Sequence, residues 1–381
     1  MKIKFSLGKE WKELKKFEKL SDNDRSIVFY AENRASMNHF RLLIEHLTKI
    51  MNLNICYVTS VENDPILTTE NKNINSFYIG DGTVRTKFFL MLKAKILIMD
   101  MPDLETYHIK RSKIHNVHYI YIFHSMFSVH SYLRKGSVDN FDTIFCVGTH
   151  HENEIRETEK IYGLKEKKLV HYGFGRLDKL LKEKEEIKEE ITDEELIIIT
   201  PSYGKNNLLQ VCGEELISIL LEKNYKVLLR PHYKILNDSK KLIRDIEDKF
   251  GNNPNFILEE GIIPSEKFHN SKCLISDWSG ISFEYAFVFE KPVIFIDVPE
   301  KILNSEINKI SLKPIEVELR TKIGKVVSTN NLIEIPELIK EINNNSELVK
   351  KQIIEIRSNT VFNINKSASV GAEYIKKILD A

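Results

Sequence analysis

Short apolar runs alternate with stretches whose apolar residues recur at helical spacing, from the first third of the chain to its end. That alternation predicts α/β architecture built on parallel strands. In the first half, strands are expected at 26–30, 52–58, 77–79, 94–99, 118–123 and 143–147. A helix over 36–51 carries Phe40, Leu43, Ile44 and Leu47 on one face, and another spans 151–162. The pattern then breaks at Leu180–Glu195, a nearly uninterrupted charged run that reads as a solvated helix or linker. Beyond it strands are expected at 196–200, 226–230, 255–258, 273–276 and 292–297. Helices are expected at 214–223, 239–250, 335–357 and 366–380. No repeat of fixed period appears. The simplest organisation is an N-terminal Rossmann-like domain over 1–180, a charged linker over 181–195 and a second Rossmann-like domain over 196–345. C-terminal helices over 346–381 would pack back on the first domain. In such sheets ligands sit outside the carboxyl ends of the strands.

Composition narrows the class. The chain has 381 residues with 42% hydrophobic positions, 20 Phe and 14 Tyr, enough for two real cores. A formal net charge of +1 gives no electrostatic case for nucleic-acid binding. Cys56, Cys146, Cys212 and Cys273 are widely spaced, each in or beside an apolar stretch, and read as buried thiols of a reducing compartment. The N-terminus lacks a signal-peptide core, and no apolar run reaches the ~20 residues of a membrane span. A cytoplasmic protein is therefore expected. The basic, aromatic segment with Lys2, Lys4, Phe5, Lys9, Trp11 and Lys12 reads as a solvated first helix, with contact to an anionic membrane surface as the alternative.

The most informative segment is Leu274–Phe287 with the strand 292–297 behind it. It reads as strand, polar turn, helix, loop, strand. Ser276, Asp277, Ser279 and Gly280 fall at a helix start, where unpaired N–H groups and the helix dipole suit a phosphate. Arg230-Pro231-His232 follows the strand 226–230 and ends it at a proline. A guanidinium and an imidazole there suit phosphate oxygens; an ordinary loop is the competing reading. His124-Ser125 ends the strand 118–123, where an imidazole suits a general base on a hydroxyl, or simple packing at a strand end. Gly173 and Gly175 permit close backbone approach at a turn into a helix, where Arg176 and Asp178 pair or orient an interdomain loop; a purely structural turn is the competing reading. Ser202 lies in the Gly-containing loop 200–204 at an expected cleft edge. Glu284 suits a ribose hydroxyl or a solvated helix face. Neither GxGxxG nor GxxxxGK[ST] is present, and His130, His150 and His151 lack the partners of a zinc site, so no metal is expected.

Taken in order, these pieces resemble the CDP-glycerol glycerophosphotransferase family, the teichoic-acid and capsule enzymes of GT-B fold. The matching pieces are His124-Ser125, Gly173 to Asp178, Arg230 to His232, Ser276 to Phe283, and Asn365 to Ile375. The chain departs from the family pattern at Ser125 (usually Gly), Gly280 (often Ser) and Glu284 (often Asp). The resemblance implies two Rossmann-like domains facing across a cleft. It implies transfer of a polyol phosphate from a CDP-activated donor to a hydroxyl of a glycan or lipid-linked acceptor, with CMP leaving and no cofactor required. His124 and His232 would be catalytic, with His124 the base. Arg230 and His232 would hold the diphosphate, with Ser276, Asp277, Ser279, Gly280, Ser282 and Glu284 around the donor. Ser125, Gly173, Arg176, Asp178 and Ser202 would line the cleft or acceptor side. The alternatives are a GT-B glycosyltransferase or epimerase using a nucleotide sugar, and a non-catalytic subunit of the same fold.

Overall fold

The computed structural model describes residues 8–187, 195–261, 263–344 and 346–381. Residues 188–194 of the expected linker lie outside the described residues. The chain forms two compact units. The first runs to Asp178 and takes in Asn304–Ile310 and Val361–Ala381; the second comprises Lys179–Leu303 and Ser311–Thr360.

The first unit begins with α1 (Lys9–Glu18), β1 (Ile27–Ala31), α2 (Ser36–Glu45), β2 (Ile55–Thr59), β3 (Ile74–Tyr78), α3 (Thr83–Met91) and β4 (Ile96–Met99). It continues through β5 (His118–Ile122), α4 (Val129–Tyr132), β6 (Thr143–Cys146), α5 (Thr149–Tyr162), β7 (Lys168–His171) and the start of α6 (Gly175–Glu185). The seven strands form one parallel sheet in the order β3-β2-β1-β4-β5-β6-β7. Strands β1, β4 and β6 are buried along their whole length, which is why they read as continuous apolar runs. Phe29, Ile98, Ile122 and Phe145 pack against Phe40 and Leu43 of α2 on one face.

The second unit holds β8 (Leu196–Thr200), α7 (Leu208–Glu222), β9 (Lys226–Leu229), α8 (Tyr233–Asp238), α9 (Lys240–Phe250), β10 (Phe256–Leu258) and α10 (Ser265–Asn270). Then follow β11 (Cys273–Ser276), α11 (Ile281–Phe289), β12 (Val293–Asp297), α12 (Ile315–Leu319), β13 (Gly324–Ser328), α13 (Ile335–Asn344) and α14 (Ser346–Thr360). Its six-stranded parallel sheet has the order β10-β9-β8-β11-β12-β13. All four cysteines are free and buried. Among the described residues no helix is long and apolar enough to cross a membrane.

The C-terminal expectation needs correction. Only α15 (Ser367–Asp380) joins the first unit, where Ala372 and Ile375 enter its core. Helix α14 stays with the second unit, because Arg357 reaches the Phe287 carbonyl and lies 3.2 Å from Glu290. A second excursion, Asn304–Ile310, belongs to the first unit: Glu306 accepts from Lys135 at 2.9 Å and from the Tyr162 hydroxyl at 2.6 Å. No apolar periodicity marks so short a polar segment.

Gly173 and Asp178 explain how the C-terminus is held. Gly173 has φ +98°, and a Cβ there would run into the Phe362 carbonyl oxygen. Buried Asp178 accepts from Asn365 N at 2.7 Å, from Ser367 N at 3.1 Å and from the Ser367 hydroxyl. It thereby satisfies donors at the start of α15. The 173–178 element and the Asn365–Ser367 segment, far apart in sequence, form one structural clasp within the first unit.

Candidate functional site

In the second sheet the chain leaves β8 toward β9 and β10, then returns to the other side of β8 with β11, β12 and β13. Loops after β8 and β11 therefore diverge, and a crevice opens at the carboxyl ends of these two strands. Asp277, 1% exposed, holds the crevice together. Its carboxylate accepts from Ser202 N at 2.7 Å, the Ser202 hydroxyl at 3.1 Å and Leu208 N at 2.9 Å, so it fastens the 200–208 loop to β11. Burial pushes its pKa up, against the pull of these hydrogen bonds.

That loop presents Tyr203. The His232 ring lies against it at 4.7 Å between centroids, Lys301 Nζ sits 3.1 Å from its centroid and Lys234 Nζ 4.3 Å from it. Tyr203 follows β8, Arg230, His232 and Lys234 follow β9, and Lys301 follows β12, so segments after three strands contribute to one cluster. The charges crowd one another. His232 is pushed down to about 4 by burial, then by Lys301, Arg230 and Lys234. Lys301 is pushed down to about 8 by burial and Lys234, with Asp277 opposing. His232 is therefore neutral at pH 7. Its Nδ1 accepts from Lys234 N at 3.2 Å, which puts the ring proton on Nε2. The cluster gathers three cations and a neutral N–H donor, groups whose chemistry suits an anion.

Several expectations for this region need correction. Ser276 is fully buried and its hydroxyl donates to the Thr200 carbonyl at 2.7 Å, locking β11 to β8. The buried Ser282 hydroxyl turns back to the Ser279 carbonyl at 2.7 Å. Asp277 and Ser202 bind each other. These four side chains shape the crevice and do not present polar atoms to a ligand. Ser279, Gly280 and Glu284 remain half-buried at the first turns of α11, and Arg230 and His232 stand within the cluster. Tyr203, Lys234 and Lys301 were not foreseen. An aromatic in a Gly-containing loop after a strand was the available signal; Lys301 had none, since only the sheet order brings it to Tyr203.

The first sheet has its own reversal point between β1 and β4. Glu32 follows β1, Asp100 follows β4 and His124 follows Phe123 at the end of β5. His124 Nδ1 lies 3.2 Å from the Asp100 carbonyl and 3.4 Å from the Tyr121 hydroxyl. A carbonyl only accepts, so Nδ1 carries the proton and Nε2 keeps a basic lone pair. Burial lowers the His124 pKa, partly opposed by the Asp100 carbonyl. Ser125 Oγ accepts from Phe127 N at 3.2 Å and serves the turn. Arg176 is half-buried and acts electrostatically on His39. Gly173 and Asp178 belong to the C-terminal clasp, a correction to their place among acceptor-side residues. Ring nitrogens of His150 and His151 meet the Met126 and Phe127 carbonyls, and His130 pairs with Glu154 at 3.1 Å. Among the described residues no three His, Cys, Asp or Glu side chains gather as a metal site.

Residues 14–301 match the sequence family described as CDP-Glycerol:Poly(glycerophosphate) glycerophosphotransferase. The chain belongs to this family. No curated protein matches its sequence. Solved structures that share the fold of this glycerophosphotransferase-family chain include UDP-GlcNAc 2-epimerase from Neisseria meningitidis bound to UDP-GlcNAc. It shows 14% identity and a TM-score of 0.62, covering 92% of this chain and 99% of that one. The S. aureus MnaA–UDP structure shows 15% identity and a TM-score of 0.62, covering 93% and 97%. The Methanocaldococcus jannaschii UDP-GlcNAc 2-epimerase, with UDP-GlcNAc and UDP, shows 15% identity and a TM-score of 0.58, covering 93% and 99%. The two parallel-sheet α/β units of this transferase-family chain are those of the GT-B class.

Proposed function

We propose that this chain transfers a polyol phosphate, glycerol phosphate in the simplest case, from a CDP-activated donor to a hydroxyl of a teichoic-acid-like or capsular acceptor at the cytoplasmic face of the membrane. The observation that carries the reading is the cation cluster around Tyr203 at the β8–β11 crevice. Family membership supports the donor class, and the fold relatives solved with UDP or UDP-GlcNAc support a nucleotide diphosphate. The acceptor oxygen forms a bond to the phosphorus that carries the polyol. The bond from that phosphorus to the bridging oxygen breaks, and CMP leaves. The hydroxyl proton passes to His124 Nε2. Arg230, Lys234 and Lys301, with the His232 Nε2–H and the first N–H groups of α11, offset the charge gathering on CMP. Such neutralisation requires no cofactor.

A donor screen tests the reading. Calorimetry and CMP release with CDP-glycerol, CDP-ribitol and UDP-GlcNAc should show binding and turnover of a CDP-polyol. Turnover of UDP-GlcNAc alone would instead establish the nucleotide-sugar alternative.

The burial of Lys301, with Lys234 beside it, also sets a pH dependence. A diphosphate restores the proton affinity of Lys301, which stands at about 8 where an isolated lysine has 10.5. The bound state then holds more protons than the free state, so binding strengthens as pH falls through this window. Affinity for CDP-glycerol should rise as pH falls from the ordinary lysine range near 10.5 toward about 8 and level off below that, by less than about tenfold per unit. Calorimetry in two buffers of different ionisation enthalpy should show proton uptake; a flat profile without uptake removes Lys301 from the diphosphate site.

A further inference from the structure

All seven strands of the first sheet run parallel, so His124 and the reversal point between β1 and β4 share its carboxyl end. The opposite end is not closed. A groove of about 680 Å³ lies among the connections that enter β2, β1, β4 and β5, four neighbours in the sheet. Sites for small molecules typically measure about 300–1,000 Å³. The whole of β5, five residues at about 3.3 Å each, separates this groove from His124. Its lining belongs entirely to the first unit. The last turn of α15 forms one wall, where Lys95 Nζ donates to the Leu379 carbonyl at 2.8 Å.

The lining argues against a charged, aromatic or lipid ligand. Lys93 pairs with Asp22 at 2.7 Å, and Arg25 meets the same carboxylate at 2.7 Å. These partners, Lys93 first, hold Asp22 down to about 2, so it stays ionised and the Lys93 charge is met. Lys95 is taken by the Leu379 carbonyl, with Asp380 on the same wall, so no excess of positive charge is left for a phosphate. Among the described residues no Phe, Tyr or Trp lines the groove, so a nucleobase has no ring to stack on. Its apolar residues are too scattered among polar ones for an acyl chain. What the groove does carry is carboxamide: Asn23 before β1, Asn52 and Asn54 before β2, and Asn116 before β5. Two of these serve the turn into β2. Asn52 has φ +53° and accepts from Asn73 Nδ2 at 3.0 Å, and Asn54 Nδ2 donates to Asp24 at 3.0 Å. The side chains of Asn23 and Asn116 form no hydrogen bond among the described residues, so the fold supplies no reason for an amide at either position.

We propose that this groove binds an uncharged polyhydroxyl chain, an oligosaccharide or an open-chain polyol, at a site remote from the reacting groups. A carboxamide donates and accepts at once, and so does each hydroxyl of such a chain, so amides drawn from three connections match a run of hydroxyls. The Asp22 carboxylate adds an acceptor for hydroxyl hydrogens and repels a phosphate. The site does not depend on the transferase reading. Under that reading it holds a stretch of glycan far from the hydroxyl that reacts, and so raises the effective concentration of the acceptor at the enzyme.

Saturation-transfer NMR on the full chain tests this, with maltotriose, ribitol and glycerol 3-phosphate as millimolar probes. Wild-type protein should transfer saturation to maltotriose or ribitol and markedly less to glycerol 3-phosphate; which neutral probe responds tells an oligosaccharide from an open-chain polyol. Ala94→Trp places a large ring in the groove and should abolish the signal. Asn23→Ala combined with Asn116→Ala should weaken binding of the responding probe by about threefold to tenfold. This double variant carries the test if Ala94→Trp fails to fold, because neither amide holds any part of the fold. His124→Ala should leave the signal as it is, since that ring stands at the other end of the sheet. No neutral-probe signal, a stronger signal from glycerol 3-phosphate, a signal that survives the groove substitutions, or one that His124→Ala removes would overturn the proposal. If the neutral probes behave as expected while CDP-polyols neither bind nor turn over, the transferase reading falls and the groove stands. If CDP-polyols turn over while the groove substitutions leave every probe signal unchanged, the groove proposal falls and the transferase reading stands.

Discussion

A His124→Ala protein should lose about 10²- to 10⁴-fold in turnover while binding the CDP donor as wild type does. The expectation follows from the hydrogen-bond geometry of one ring. The Asp100 carbonyl fixes the tautomer, so the lone pair sits on Nε2 before any substrate arrives. Burial lowers the pKa below the ordinary 6.5, so the ring is unprotonated at neutral pH. A base works only when deprotonated, so wild-type turnover should be full above the lowered pKa and fall as pH drops through it. The partners of the His124 ring are the Asp100 carbonyl and the Tyr121 hydroxyl, both in the first unit, so the substitution is aimed at the base and not at the cation cluster. Single-turnover CMP release, paired with calorimetric CDP binding, checks both halves. Unchanged turnover would remove His124 from the chemistry; lost CDP binding would mean that the imidazole serves the donor.

Asp277→Ala should destabilise the protein by about 2–4 kcal/mol, because a buried acceptor of several hydrogen bonds leaves its donors unmet. Ser202 N and Leu208 N donate to it at 2.7 and 2.9 Å, and both residues lie in the interior with the Ser202 hydroxyl. The loss also releases the 200–208 loop, and with it Tyr203, the platform on which His232, Lys234 and Lys301 gather. Donor affinity should therefore fall together with stability. Ser279→Ala, on the half-buried turn, should change stability by less than about 0.5 kcal/mol. Urea unfolding of both variants, with CDP affinity measured well below the unfolding midpoint, checks the pair. An unchanged midpoint for Asp277→Ala would show that the aspartate is not the fastening group.

How much was legible depended on burial. β1, β4, β8, β11 and β12 were readable because strands buried on both faces are near-continuous apolar runs. β7 and β13 were not foreseen: each lies at a sheet edge, with Lys168, His171 or Lys325 exposed within it. Helix α7 starts at Leu208, six residues before the expected 214, because the Asn207 side chain caps it by accepting from Gln210 N at 3.2 Å. Helix α2 ends at Glu45, and the last turn of the expected 36–51 helix is π-helical over His46–Ile50. The single helix expected over 335–357 is two, α13 and α14.

The amino-acid order by itself determined the strand–helix alternation, the two sheets and the pieces that tie the chain to its family, because each rests on local spacing of apolar and turn residues. Only the tertiary structure decided which polar side chains face a ligand. Ser276, Asp277, Ser282 and Asp178 look like binding residues in sequence, and hydrogen bonds to distant backbone turn them inward. Tyr203, Lys234 and Lys301 look like ordinary loop residues, and the order β9-β8-β11-β12 brings them together with Arg230 and His232. The reason is physical: a strand's own residues specify that it is buried, whereas its neighbours in the sheet are chosen by contacts many residues away, and a reversal point exists only once that order is set.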